Sequence, residues 1–508
     1  MDRRSFLASA ALPFAAAGEL RAQTRFQANA SMRAGFADAD ITPEIGMEQP
    51  GGYGKVFHQF VHDPCKARAA VFDDGRKTVA VVGLDALIVP RALVLAARKR
   101  IEARCGISGD AVLINASHSH SSGPTGMVQP GEFDSAPELV RRLAYEKSSA
   151  ADPRYLQLVE DQIVAAVCRA HEQRADRQCG VGLGHEDKAG YNRRFRMKNG
   201  RTFTHPGQGN PDIVKVAGPM DPDVGVIAAW DRAGWLAGCI VNYACHATAN
   251  PGGISANWIY FMERAIRGVF GEQAVVVFVQ GACGDITQVD NLSPYLRPSG
   301  LEDAQLVGGR VGAESVKTML SMARGSLAPV DFRSRVLKLA RRVPAPDRVA
   351  QAMELVKQEP QKVGVTEWTF AKETVMLDHL IKREPIADVE VQAIQVGPAV
   401  FVSNPAEYFV EFGLEIKAKS RFDFTFPAEL SNGCVGYVPT EEALSASGGG
   451  YETRLTFYSN LIPEAGRRIA AAGIELTHQL TPGVPPEPPK AKPFAAPWNY
   501  GNVPAETK

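Results

Sequence analysis

The chain has 508 residues, 45% of them hydrophobic and 22% charged, a globular composition with enough apolar content for a large core. Lysines plus arginines and aspartates plus glutamates both number 56, so the formal net charge is zero, and no basic surplus points to a nucleic-acid partner. The eight cysteines include no CxxC pair and are too sparse for a disulfide scaffold.

The N-terminus reads MDRRSFLASAALPFAAAGELRAQ. Arg3 and Arg4 precede Ser5, Phe6 and Leu7, then an alanine-rich stretch with a small-residue exit near Ala22. Residues 1–22 read as a twin-arginine signal, and the expected location is periplasmic or secreted. An ordinary signal peptide and a short anchor are the alternatives. No later segment reaches 18 uninterrupted apolar residues, so no membrane-spanning helix is expected beyond it.

From there, β-branched apolar runs repeatedly end in polar loops. TVAVVGLD (78–85) precedes a helical pattern, RALVLAARKRIEARC, stopped at Gly106. AVLINAS runs directly into His118. VGVIAAWDRAGWLAGCIVNYACHAT reads as a hairpin turning at Arg232–Gly234 and ending at His246. AVVVFVQGACGDIT (274–287) is another buried strand with a Gly-rich exit. VEVQAIQVGPAVFVSNPAEYF is a second hairpin, turning at Gly397–Pro398, with a helix expected over 406–419. Further helices are expected near 154–173, 258–270, 308–323, 347–358 and 459–476. Strands and helices alternate, yet hairpins interrupt them. The fold class is therefore α/β of the mixed α+β kind, with mixed sheets and helices packed outside. One domain is expected over 30–480, followed by a Pro-rich tail, 481–508, that is extended or loosely wrapped.

The uncommon polar residues fall at strand exits: His118, His246, Asp285 with Thr287, and Glu407. Open α/β sheets gather ligand sites outside the carboxyl ends of their strands. Two histidines and a carboxylate are a plausible zinc set, although a lone histidine at a strand end is more often a satisfied buried residue. Asp63 and Asp85 read as supporting or turn residues. Cys245 and Cys283 flank site loops and read either as a disulfide pair or as buried free thiols. GVGLG (180–184) is not followed by a helix start, and GGISAN around Ser255 lacks the last glycine of GxSxG. Neither a nucleotide site nor a metal-free serine hydrolase is supported.

Eleven pieces in order resemble the catalytic domain of neutral (alkaline, non-lysosomal) ceramidases: DITPEIG, GGYG, HDPCKARAAVFDDG, VVGLD, NASHSHSSGP, YNRR, VNYACHAT, QGACGDIT, NPAEYF, GYVPTEEAL and GGGYE. The resemblance covers residues 35–475. It implies one Zn2+ per chain held by His118, His246, Glu407 and the unusual ligand Tyr437. It also implies His120 as the group acting on water or the leaving amine. Arg193, with Arg194 as an equal alignment, and Tyr451 correspond to substrate-polarising positions. The implied reaction is hydrolysis of an N-acyl amide, releasing a fatty acid from ceramide or a related lipid, with at most peripheral membrane contact.

Two departures separate the chain from the family pattern. The family's essential serine segment reads here Gly284–Asp285–Ile286–Thr287–Gln288. A threonine nucleophile needs a base and room for its methyl group, so attack by water is favoured, with Thr287 positioning substrate. No counterpart of the family's immunoglobulin-like domain is expected after the tail. Competing readings are a same-fold zinc hydrolase for a polar amide or ester of a sugar or peptide, and a non-catalytic metal-binding relative. Pocket lining separates the lipid from the polar substrate. Oligomeric state is not legible.

Overall fold

The computed structural model describes residues 32–491, 493, 500 and 503–508; the export segment expected over 1–22 lies outside them. The architecture is mixed α+β, as the alternation of strands, hairpins and helices predicts. One five-stranded sheet runs in the order Val112–Ala116, Thr78–Leu84, Lys66–Asp73, Arg33–Asp40, Ala175–Asp176. A four-stranded sheet runs Val275–Gln280, Leu236–Tyr243, Asp223–Trp230, Gln178–His185. The two sheets share one core, in which Ile227, Ile240 and Val277 join Val71, Val81 and Ile114. They approach closely at Gly83, where a side-chain carbon would run into the Phe278 carbonyl; the missing Cβ there is a packing requirement.

Helices Arg91–Cys105 and Pro153–Glu172 belong to that same core. Helices Trp258–Phe270 and Leu301–Ser321 cover the opposite face of the second sheet through Trp258, Met262, Val307 and Val311. A third sheet, Val330–Ala340, Ile386–Val396, Ala399–Ser403, Phe424–Ala428, carries helices Val410–Lys419 and Ala465–His478. GVGLG lies inside the strand Gln178–His185, with no helix opening after it. No helix among the described residues is long and apolar enough to cross a membrane.

Both expected hairpins form, with Asp223–Trp230 antiparallel to Leu236–Tyr243 and Ile386–Val396 antiparallel to Ala399–Ser403. Boundaries moved where tertiary pairing intervened. The helix expected from 406 begins at Val410, because Glu407 and Tyr408 first pair in parallel with Tyr437 and Val438. The helix expected from 459 begins at Ala465, because Asn460 Nδ2 donates back to the Thr456 and Phe457 carbonyls and holds a turn there. The helix expected from 308 already starts at Leu301, after Gly300. The helix Val365–Arg383 was missed: it buries Lys372 and Glu373 among Ala371, Val375, Met376 and Leu380, which breaks the apolar stripe that periodicity detects.

Candidate active site

The strand Val112–Ala116 is wholly buried, and the chain turns sharply as it leaves the sheet. His118 sits in the left-handed region, with φ 61°, a conformation that histidine tolerates better than branched residues do. This turn puts its Nδ1 3.0 Å from the Leu87 carbonyl, at the exit of the neighbouring parallel strand Thr78–Leu84. His246 repeats the arrangement after Leu236–Tyr243. Its Nδ1 meets the carbonyls of Cys283 and Ile286 at 2.8 and 3.0 Å, just beyond the parallel neighbour Val275–Gln280. In both rings the carbonyls require the proton on Nδ1, so each Nε2 presents a lone pair inward.

Those lone pairs converge on one carboxylate oxygen. Glu407 Oε2 lies 3.1 Å from His118 Nε2 and 3.1 Å from His246 Nε2. The three potential ligand atoms lie within 4.8 Å of one another, and all three residues are buried. Tyr437, brought to Glu407 by their strand pairing, places its hydroxyl 3.4 Å from His246 Nε2. Two imidazole acceptors facing a carboxylate leave a pocket of electron pairs that a cation satisfies, so the donor set fits zinc chemistry. Among the described residues this is the one such group of His, Cys, Asp or Glu. Burial alone would push the His118 pKa down, but the Glu407 charge outweighs it and the net shift is upward. Burial likewise opposes ionisation of Glu407, yet His118 and His246 hold its pKa well below the usual carboxylate range.

His120 stands beside this centre. Its Nε2 is 3.3 Å from His118 Nε2, and burial, then the two neighbouring imidazoles, hold its pKa well below normal. Gly51, at φ 108°, packs against the His120 ring so closely that a side chain there would strike Nδ1.

A second, cationic wall is built by Arg193. Its Nη2 donates to the Tyr437 hydroxyl at 3.2 Å and to the Gly284 carbonyl at 2.8 Å. Tyr437 and Tyr451 share a hydrogen bond of 2.7 Å between their hydroxyls. Arg194 turns away, donating to the Gly449 carbonyl and lying over the Phe409 ring. Of the two arginines, therefore, Arg193 reaches the tyrosines. Thr287 is buried on the short strand Ile286–Thr287, next to the residue whose carbonyl holds His246, and its hydroxyl accepts from the Val289 amide at 3.4 Å. Asp285 accepts from the Val410 amide and the Asn192 side chain, a structural bracing role apart from the His118, His246 and Glu407 group. Asp63 and Asp85 brace other elements: Asp63 accepts from Ser255 and Ala256, Asp85 from Lys66 and Arg68. Cys245 and Cys283 are both free. Their thiols turn to different acceptors, Cys245 to the Ala189 carbonyl and Cys283 to Glu429, which corrects the pairing alternative.

Three further participants carried no signal of their own in the sequence. Glu452 is buried, with Oε1 2.8 Å from Arg193 Nε and Oε2 accepting from Thr204. It directly follows Tyr451, so the GGGYE piece did contain it. Glu429 accepts from the amides of Cys283 and Tyr408 at 2.9 and 2.7 Å, knitting together the two loops that carry the His246 acceptors and Glu407; burial pushes its pKa to about 8. Tyr53, in GGYG, lines the cleft over His118, His120 and Glu407 with Gly51 and Tyr451.

That cleft is small, about 60 Å³. Beyond its wall of Met127 and Tyr458 lies a cavity of about 450 Å³ that both residues also line. Ile88, Leu93, Leu380 and Phe457 make its buried, apolar sides, with Glu132 and Arg341 half-buried and Ala92 and Pro130 exposed at the rim.

No protein-family model matches the chain. It is similar to the neutral ceramidase of Pseudomonas aeruginosa, 25% identical over 329 residues, which cover 61% of this chain and 45% of that protein. The aligned part thus spans less than half of the relative. Among solved structures, the crystal structure of the P. aeruginosa neutral ceramidase matches with a TM-score of 0.64 and 20% identity, covering 90% of this chain and 77% of that one. A ceramidase complexed with C2 matches with the same TM-score at 19% identity, over 90% of this chain and 78% of that one. The chain has the fold of the neutral ceramidases, and the similarity in sequence supports a neutral-ceramidase-like family.

Proposed function

We propose that the chain is an exported, zinc-dependent hydrolase that cleaves the amide bond of an N-acyl lipid, ceramide or a close relative. The observation that carries the reading is the shared approach of His118 Nε2 and His246 Nε2, each at 3.1 Å, to one oxygen of Glu407. His118, His246 and Glu407 would hold the ion, with Tyr437 at its side. Zinc so held supplies Lewis acidity, which makes water a competent nucleophile near neutral pH. Export rests on Arg3, Arg4 and the alanine-rich stretch behind them.

The chain's own groups divide the remaining work. His120, neutral in its buried setting, takes a proton from the attacking water and returns one to the departing amine nitrogen. Tyr451 and Arg193 face the position where negative charge develops on the acyl oxygen, and donors fixed in advance of the reaction favour that charge. Tyr437 stands on the same side, held by its hydrogen bonds with Arg193 and Tyr451. Thr287 orients substrate, leaving attack to water. Water adds its hydroxyl to the acyl carbon and the C–N bond breaks, giving a carboxylic acid and a free amine.

The apolar cavity next to the cleft favours a hydrocarbon-bearing substrate over a polar one. Each methylene transferred from water contributes about 0.8 kcal/mol, so kcat/KM for N-acyl amides is expected to rise about fourfold per methylene until the cavity is filled. The test measures metal content, then activity on N-acyl amides of increasing chain length. Zinc present without acyl-amide turnover, together with cleavage of an amidated sugar or peptide, would replace the lipid reading with the polar one. Turnover that survives complete metal removal would refute the zinc mechanism.

A further inference from the structure

All eight cysteines are free in the structure, and most are deeply buried. One pair stands apart: the sulfurs of Cys105 and Cys168 are 2.7 Å apart, less than an ångström beyond a covalent S–S bond of ~2.05 Å. Cys105 is the last residue of the helix Arg91–Cys105, which Gly106 closes in a left-handed turn. Cys168 lies in the final turns of Pro153–Glu172. The two helices pack together through Val94, Ala97, Ile101, Ile163, Val164 and Val167. Their register is held independently by Arg100, whose Nη1 lies 2.8 Å from Glu160 and 2.7 Å from Asp161. The sulfurs therefore face each other across a fixed interface and need no backbone rearrangement to join.

We propose that Cys105 and Cys168 form an intramolecular disulfide once the chain is in an oxidising compartment, where such bonds persist. The bond would close a loop running from Gly106 to Val167, and that loop carries His118 and His120. Formation is a two-step exchange with an external disulfide such as glutathione disulfide. Cys105, the more exposed of the two, loses its proton and attacks one sulfur of the oxidant, releasing a first thiol. Cys168 then attacks the Cys105 sulfur of the mixed disulfide and releases a second thiol. Two S–H bonds are replaced by one S–S bond, two electrons pass to the oxidant, and both protons end on the released thiols. Burial, and then the neighbouring Cys168, hold the Cys105 thiol well above its ordinary range. Oxidation of the folded chain is accordingly slow.

The test refolds the full chain in a buffer containing glutathione disulfide, traps free thiols in denaturant, and digests the product for mass analysis. The expected result is six reactive thiols rather than eight, one cross-linked peptide joining Cys105 to Cys168, and seven reactive thiols in Cys105→Ser. Reduction should lower the melting temperature of the oxidised wild type by about 4 °C, from a closed loop of roughly 60 residues in a chain of this size. The same treatment should leave Cys105→Ser unmoved. Eight reactive thiols in the folded protein, or a cross-link through any other pair, would overturn the inference. Should Cys105→Ser fail to fold, the wild-type thiol count and the linked peptide decide alone. None of these readouts depends on the hydrolase reading.

Discussion

Glu452→Gln tests the cationic wall most directly. The Arg193 guanidinium is buried and has one carboxylate within ion-pair distance among the described residues, Glu452, at 2.8 Å. Glutamine keeps the shape and an acceptor for the Thr204 hydroxyl, now 2.6 Å from Oε2, but removes the charge. A buried cation left without its partner costs about 3–5 kcal/mol of stability. The same loss loosens the group that donates to Tyr437 at 3.2 Å. If Arg193 and the tyrosines stabilise developing negative charge, kcat should fall about 10²–10³-fold, the usual loss for one preorganised donor, while KM changes little. Chemical denaturation gives the stability change, and steady-state kinetics on an N-acyl amide, at a temperature where the variant remains folded, gives the rate. Glu452→Asp should recover part of both. A variant destabilised as expected but with an unaltered kcat would show that Arg193 serves folding alone, and one unaltered in both would refute the ion-pair argument.

His118→Ala should lose both bound metal and activity, whereas His120→Ala should keep the metal and lose about 10²–10⁴ in rate; equal metal loss in the two, read by elemental analysis, would show the division of roles to be wrong. Thr287→Ala should retain a measurable fraction of kcat, within about tenfold of wild type if it forms one positioning hydrogen bond; complete loss with metal retained would favour a covalent acyl-threonine route. Gly51→Ala forces a side chain into the His120 ring from a left-handed backbone position; the rate should drop with metal content unchanged, and an unimpaired variant would show that the loop can yield.

The single sequence already contained much of the fold and most of the centre. Hairpins turning at Arg232–Gly234 and Gly397–Pro398 were legible because an apolar alternation broken by Gly or Pro is a local signal. His118, His246 and Glu407 were legible as strand-exit residues, and the ordered family pieces singled out Tyr437 and Tyr451, which no periodicity marks. The tertiary structure decided what depends on distant backbone. Only the parallel pairing of Glu407 with Tyr437 delays a helix until Val410 and sets carboxylate beside phenol. Only the carbonyls of Leu87, Cys283 and Ile286 orient the two imidazoles so that their free nitrogens meet. The choice of Arg193 over Arg194, and its dependence on Glu452, follows from the break between the short strands Tyr191–Asn192 and Arg194–Met197, where the two neighbouring side chains part toward different partners. Local composition specifies which residues leave the strands; how their side chains converge is set by contacts between segments from 31 to 259 residues apart, which no local pattern encodes.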